Sequence, residues 1–235
     1  MAGFWPTKDH WSVAIDEREA HYLCPALEET GFVALRPADF DVPAAEWESL
    51  EYMDWKSGGD TNFAPLASAD GQLDCRGFWD KGKTDKDALW TSNADQAPTL
   101  KAYVDSIGAN FGRVRIIKLE PQDRETAIRS FHRDDNNRFN PAGEGWVVRT
   151  WVELTDNPDS YMLLMDLDED RLPIPEHRTP GPADPWCPVR GRHQRLWHVV
   201  VHNGDSPRYA LITSVECTPE LQDWIETRVP QPASV

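Results

Sequence analysis

The chain of 235 residues carries 40 Asp and Glu against 24 Lys and Arg, a formal net charge of −16. A surface of that sign repels phosphate backbones and anionic lipid, which argues against nucleic acid and membranes as partners. Hydrophobic residues at 40 % and charged residues at 27 % exclude wholesale disorder and leave enough apolar side chain for a sizeable core. No apolar run approaches the length of a membrane span, and the opening MAGFWPTKDHWS lacks the basic start and apolar stretch of a signal peptide, so a cytoplasmic location is expected. Cys24, Cys75, Cys187 and Cys217 form no C-x-x-C pair; they read as thiols in a reducing compartment rather than as a zinc site.

Residues 1–95 read as a helical and irregular N-terminal region packed on the C-terminal part of the chain. Helical stretches are expected at 17–30 and at 44–54, the second opened by Asp41-Val42-Pro43. Residues 56–74, rich in Gly, Ser, Asp and Asn, read as loop. A better helix is predicted over 98–110, where Leu100, Tyr103, Val104, Ile107 and Phe111 recur at steps of three and four.

From there the period changes to two. Strands are predicted at 113–119, 127–132, 146–154 and 161–167, then a proline-rich connection over 172–188. Two further strands, 196–202 and 208–215, are expected to form a hairpin across Asn203-Gly204-Asp205-Ser206-Pro207, with a short helix at 219–228 closing the chain. Helices followed by about six short strands predict a mainly β fold with flanking helices, a sandwich or jelly roll, with 96–235 as its core in one compact domain.

Chemistry concentrates in two places. In Phe131-His132-Arg133-Asp134 two ligand-type side chains stand two apart, so an extended backbone points both to one face. A histidine from a distant strand would complete two imidazoles and one carboxylate on one ion, a facial set that leaves open positions on iron(II). The last predicted strand pair offers His198, with Val199 and Val201 facing the other way, and Arg208 as a planar fork for a carboxylate.

These segments, RVRIIKLEP, FHRDDNN, VVRTWVELTDNP and WHVVVHNGDSPRYALI, together resemble the aspartyl/asparaginyl β-hydroxylase-like family of iron(II)/2-oxoglutarate-dependent oxygenases, including its free-proline hydroxylase-like members. The family pattern is H-x-D, an arginine-containing strand, then a histidine with a basic residue ten further on; His132, Asp134, Arg149, His198 and Arg208 meet it over about 98–216. The resemblance implies a double-stranded β-helix of cupin-like form and Fe(II) on His132, Asp134 and His198. It implies 2-oxoglutarate as co-substrate, with its far carboxylate on Arg208. It further implies hydroxylation of a C–H bond in an amino acid, a peptide-linked residue or another small polar metabolite. A carboxylate retained at 134 favours hydroxylation over halogenation, which needs a small residue there.

Arg149 is assigned to a co-substrate or substrate carboxylate. The sequence departs from the pattern at His202, where Asn is frequent, and in a long loop over 135–148. His202 is a rival ligand or a wall of the pocket; Asp135 points opposite Asp134 and reads as a solvated acid. Arg190, Arg192 and Arg195 read as a solvated or salt-bridged basic patch rather than a nucleic-acid site, one that could also attract an acidic substrate. Trp146, Trp151 and Trp197 are expected near the site, while His10, His21, His177 and His193 show no ligand spacing. Two other readings stand: a cupin-type metalloenzyme that does not use 2-oxoglutarate, and a non-catalytic β-barrel binding module.

Overall fold

The computed structural model describes residues 25–27, 32–36, 41–54, 61–132, 134, 136–137, 139–140, 145–165, 189–191 and 197–229. His10, His21, Cys24, His177, Cys187, Arg192, His193 and Arg195, the 172–188 connection and most of the expected 17–30 helix lie outside them.

Among the described residues ten strands pair antiparallel in two sheets. They are β1 (Phe32–Ala34), β2 (Met53–Asp54), β3 (Thr61–Ser68), β4 (Leu89–Trp90), β5 (Phe111–Leu119), β6 (Val147–Glu153), β7 (Ser160–Met165), β8 (Val189–Gly191), β9 (Trp197–His202) and β10 (Arg208–Glu216). The major sheet runs β1-β8-β6-β10-β5-β3-β2, with β4 beside β3; the minor sheet is β7-β9.

Alternation along each strand sorts the side chains into three layers. On β5, β6 and β10 one set, including Val114, Ile116, Val148, Val152, Leu211 and Val215, packs outward under two helices, α2 (Pro98–Asp105) and α4 (Pro219–Glu226). The opposite set, Ile117, Trp151 and Ile212, faces Met162 and Val200 of the minor sheet. Leu163, Trp197, Val199 and Val201 on the far side of the minor sheet pack against Ala127 and Phe131, in and just after α3 (Arg124–Arg129). A buried Leu or Ile contributes about 1.5–3 kcal/mol, so the outer layer under α2 and α4 supplies much of the fold's stability.

Local chemistry sets the helix starts. Pro98 opens α2, and Glu46, from the single turn α1 (Ala45–Glu48), accepts the Thr99 and Leu100 N–H groups. Asp123 caps α3 by accepting from Thr126, and Thr218 with Pro219 opens α4. Asp85, only 2 % exposed, accepts the backbone N–H of Arg113 at 2.7 Å and the Ser214 hydroxyl at 2.8 Å, tying the 82–88 loop across β5 and β10. Gly112 permits this approach, since a Cβ there would lie 2.0 Å from the Asp85 carbonyl oxygen.

Four sequence expectations are corrected. Residues 56–74 are not loop throughout: β3 lies within them, a full member of the major sheet paired to β5. The 44–54 helix is one turn, followed by β2. Residues 127–132 are no strand; α3 runs to Arg129, and His132 makes only an isolated bridge to His198. Finally, β9 and β10 form no hairpin with each other. β9 pairs β7 and β10 enters the major sheet, so the 203–207 turn carries the chain from one layer to the other.

Candidate metal centre

Backbone pairing brings two histidines together. The His132 N–H donates to the His198 carbonyl at 3.2 Å and the His198 N–H to the His132 carbonyl at 2.9 Å. Such a reciprocal pair puts both side chains on one face, and the imidazole centroids lie 4.5 Å apart. Asp134 Oδ2 lies 3.8 Å from His198 Nε2. One ligand atom from each of His132, Asp134 and His198 falls within 4.8 Å of the others, a set able to hold a metal ion.

Tautomer and orientation suit that task. His132 Nδ1 lies 2.7 Å from the Ser130 carbonyl oxygen. A carbonyl only accepts, so Nδ1 carries the proton and Nε2 keeps its lone pair for a metal. His198 is buried, and the Trp151 ring stands edge-on to it at 6.1 Å. His132 is exposed, which opens the centre to solvent on one side.

The long loop before β6 is held by side chains that mimic backbone. The Asn137 amide donates to the Val147 carbonyl at 3.0 Å and accepts its N–H at 2.8 Å, as a neighbouring strand would. Asn140 donates to the Gly145 carbonyl at 2.7 Å and to Asn137. Asn136 accepts from the Arg149 guanidinium at 2.8 Å, and Arg149 Nε lies 3.1 Å from Asp134 Oδ2. Arg149, 1 % exposed, thus binds Asp134 and the loop following it. Burial lowers the Arg149 pKa, and the Asp134 carboxylate opposes that shift.

The inner face of the major sheet is rich in arginine. Arg113 pairs with Asp85 at 3.5 Å. The Arg115 guanidinium lies over the Phe63 ring at 4.1 Å. Burial, and then the charges of Arg113 and Arg149, push the Arg115 pKa well down, and Asp134 is the first anion to oppose this. Arg208, 3 % exposed, forms an ion pair with Glu153.

His202 stands apart from the centre. It lies four residues along β9 from His198, about 13 Å at strand rise. Its Nε2 is 2.7 Å from the Ser206 carbonyl and its Nδ1 2.6 Å from the Ser160 hydroxyl. A carbonyl only accepts, so Nε2 donates and holds the 203–207 turn, while Nδ1 meets Ser160 of β7. Trp146 packs in the outer layer and Trp197 stacks on Phe131 behind the minor sheet; of the three tryptophans expected at the site, Trp151 meets it.

The structure therefore brings together His132, Asp134, His198 and Arg149, and places Arg208 with Glu153. Sequence reading missed Asn136, Asn137, Asn140, Arg115 and Glu153. The asparagines offered only a loop signal, because an amide paired to a strand end has no fixed spacing. Arg115 and Glu153 were legible by parity alone, as members of strands whose alternate residues face inward.

No protein-family model matches the chain, and no curated protein matches it by sequence. Among solved structures it is similar to SnoK, a non-heme α-ketoglutarate-dependent carbocyclase from nogalamycin biosynthesis. The identity is 17 % over 82 % of this chain and 82 % of that one, with a TM-score of 0.51. It is also similar to an oxidoreductase of the 2OG-Fe(II) oxygenase family from Burkholderia pseudomallei, at 12 % identity over 83 % of this chain and 89 % of that one, TM-score 0.51. At such identities the likeness is one of fold. The two facing antiparallel sheets form the double-stranded β-helix of these oxygenases, as the sequence motifs implied. Among the described residues no helix is long and apolar enough to cross a membrane.

Proposed function

We propose that the chain is an iron(II)- and 2-oxoglutarate-dependent oxygenase of the aspartyl/asparaginyl β-hydroxylase-like kind. Its substrate is an amino acid, a peptide-linked residue or a small polar metabolite, hydroxylated at a C–H bond. The observation that carries this reading is the convergence of His132, Asp134 and His198 within 4.8 Å. The double-stranded β-helix and the Nδ1–H tautomer of His132 support it. Two imidazoles and one carboxylate are the donor set that suits iron(II) with open positions.

In this reading His132, Asp134 and His198 hold the metal, and Arg208 receives the far carboxylate of the co-substrate. Bound iron(II) and 2-oxoglutarate would, with dioxygen as the oxidant, supply the hydroxylation: one oxygen atom would enter the new C–OH bond and the other the succinate left when the co-substrate loses carbon dioxide. The chain's own work is placement. Ser130 fixes the His132 tautomer, Arg149 orients Asp134, and Trp151 excludes water beside His198. A second reading, a cupin-type metalloenzyme that does not use 2-oxoglutarate, draws on one observation: Glu153 already neutralises Arg208.

The test is anaerobic reconstitution with Fe(II) and 2-oxoglutarate, then oxygen consumption and succinate formation across a panel of amino acids. Succinate from the wild type and none from Asp134→Ala is expected. Metal binding without any binding of 2-oxoglutarate would overturn the proposal in favour of the second reading.

A further inference from the structure

Arg208 and Glu153 occupy fixed positions on the two central strands of the major sheet. Glu153 ends β6 opposite Ala210, and Arg208 opens β10 two residues earlier, so both side chains project from the same face. Their side chains are 4 % and 14 % exposed. Glu153 is laddered to Ala210 of β10 and Arg208 to Leu119 of β5, so each backbone is fixed by strand pairing on one side. The partner of Glu153 across the ladder, Ala210, is apolar, and among the described residues Glu153 pairs with Arg208 and with no other cation.

One guanidinium therefore has two claimants. Under the function proposed above, on which this rests, the far carboxylate of a dicarboxylate 2-oxo acid must reach Arg208. Glu153 is already there, and two carboxylates on one buried cation repel each other. The incoming anion has to turn Glu153 away through its narrow opening to solvent, or bind beside it at a loss. A 2-oxo acid that ends in a methyl group makes no such demand and leaves the pair intact. We propose that Glu153 competes with the co-substrate for Arg208 and so sets how strongly the chain prefers a dicarboxylate 2-oxo acid to a monocarboxylate one.

The experiment is equilibrium binding of 2-oxoglutarate and of 2-oxopentanoate to the metal-loaded full chain without oxygen. Wild type, Glu153→Gln, Glu153→Asp and Arg208→Gln are compared, and thermal melting checks that each is folded. Glu153→Gln is expected to tighten 2-oxoglutarate by about tenfold or more while leaving 2-oxopentanoate within about twofold. Glu153→Asp, which keeps the charge and shortens its reach, should fall between. Arg208→Gln should bind the two acids nearly alike. If Glu153→Gln binds 2-oxoglutarate no tighter than wild type although both bind it, the competition does not exist, and the oxygenase reading stands. If metal binds but neither acid binds to any of the four proteins, the oxygenase reading fails and this inference fails with it.

Discussion

The two faces of the major sheet are made by the same strands and do opposite work. Outward, β5, β6 and β10 present Val114, Ile116, Val152, Leu211 and Val215 to α2 and α4, a layer of aliphatic side chains with little exposure. Inward, the alternate residues are Arg113, Arg115, Arg149, Glu153, Arg208 and Ser214, with Trp151 and Ile212 among them. Burying that many charges costs stability unless each is paired, and a protein of net charge −16 has not placed four arginines on one inner face for solubility. The outer face supplies much of the fold's free energy; the inner face offsets part of it by holding charged side chains, and a residue set able to bind a metal ion, in one arrangement.

Substitutions on the two faces should therefore separate function from stability. The largest expected effect is on the inner side. Replacing His132, Asp134 or His198 by Ala should cut metal affinity and succinate formation by at least about a hundredfold, the upper end of what losing a mere supporting residue costs. The melting temperature of metal-free His132→Ala should shift little, whereas Asp134→Ala should also lose stability because it leaves buried Arg149 without its carboxylate. A large loss of folding in His132→Ala would mean that this exposed histidine acts in the fold rather than at a site. On the outer side, Leu211→Ala should destabilise by about 2–5 kcal/mol in urea unfolding while the metal affinity of the folded protein stays within about twofold.

The asparagines that follow Asp134 tie the chain to β6. Asn137→Ala removes both bonds to the Val147 backbone and should cost about 1–3 kcal/mol. Because the loop then loosens, metal affinity should fall as well, by about tenfold, a joint response that neither face gives alone. Measuring unfolding and metal titration on the same variant checks it.

The smallest effect lies at the surface. Burial works against ionisation of Asp74, but hydrogen bonds from Lys81 and Arg76 outweigh it and hold the pKa at about 2, below the ordinary 3.8. A depressed carboxylate stabilises the fold above its unfolded pKa and ceases to as pH falls through its folded one. Asp74→Asn should thus lower stability by about 1 kcal/mol at pH 7 and flatten the loss between about pH 4 and pH 2, with no change at the metal centre. An unchanged acid profile would mean that the contacts with Lys81 and Arg76 do not hold in solution.

Much of the fold and the site was legible in the residue order. The three-and-four spacing of Leu100, Tyr103, Val104 and Ile107 marks α2, and alternation in VVRTWVE and WHVVVH marks β6 and β9. The parity of His198 against Val199 and Val201 placed the histidine inward, and the structure keeps that parity. What failed did so for physical reasons. β3 is buried on both faces, so it lacks alternation, and Pro65 within it reads as a breaker. α3 is six residues long, too short for a helical period to declare itself. The turn at 203–207 has hairpin chemistry, but which strand each arm pairs with is decided by the opposing layer, not by the turn. Parity turns Glu153 and Arg115 inward, but it does not say whether a charge meets a partner, a ring or a ligand.

A single metal centre built from His132, Asp134 and His198 is checked by anaerobic titration of the metal-free chain with Fe(II), followed by the same titration of His132→Ala, Asp134→Ala and His198→Ala. One ion per wild-type chain, with binding weakened by about a hundredfold or more in each variant, is the expected result. Wild-type binding retained in any one of the three would contradict it.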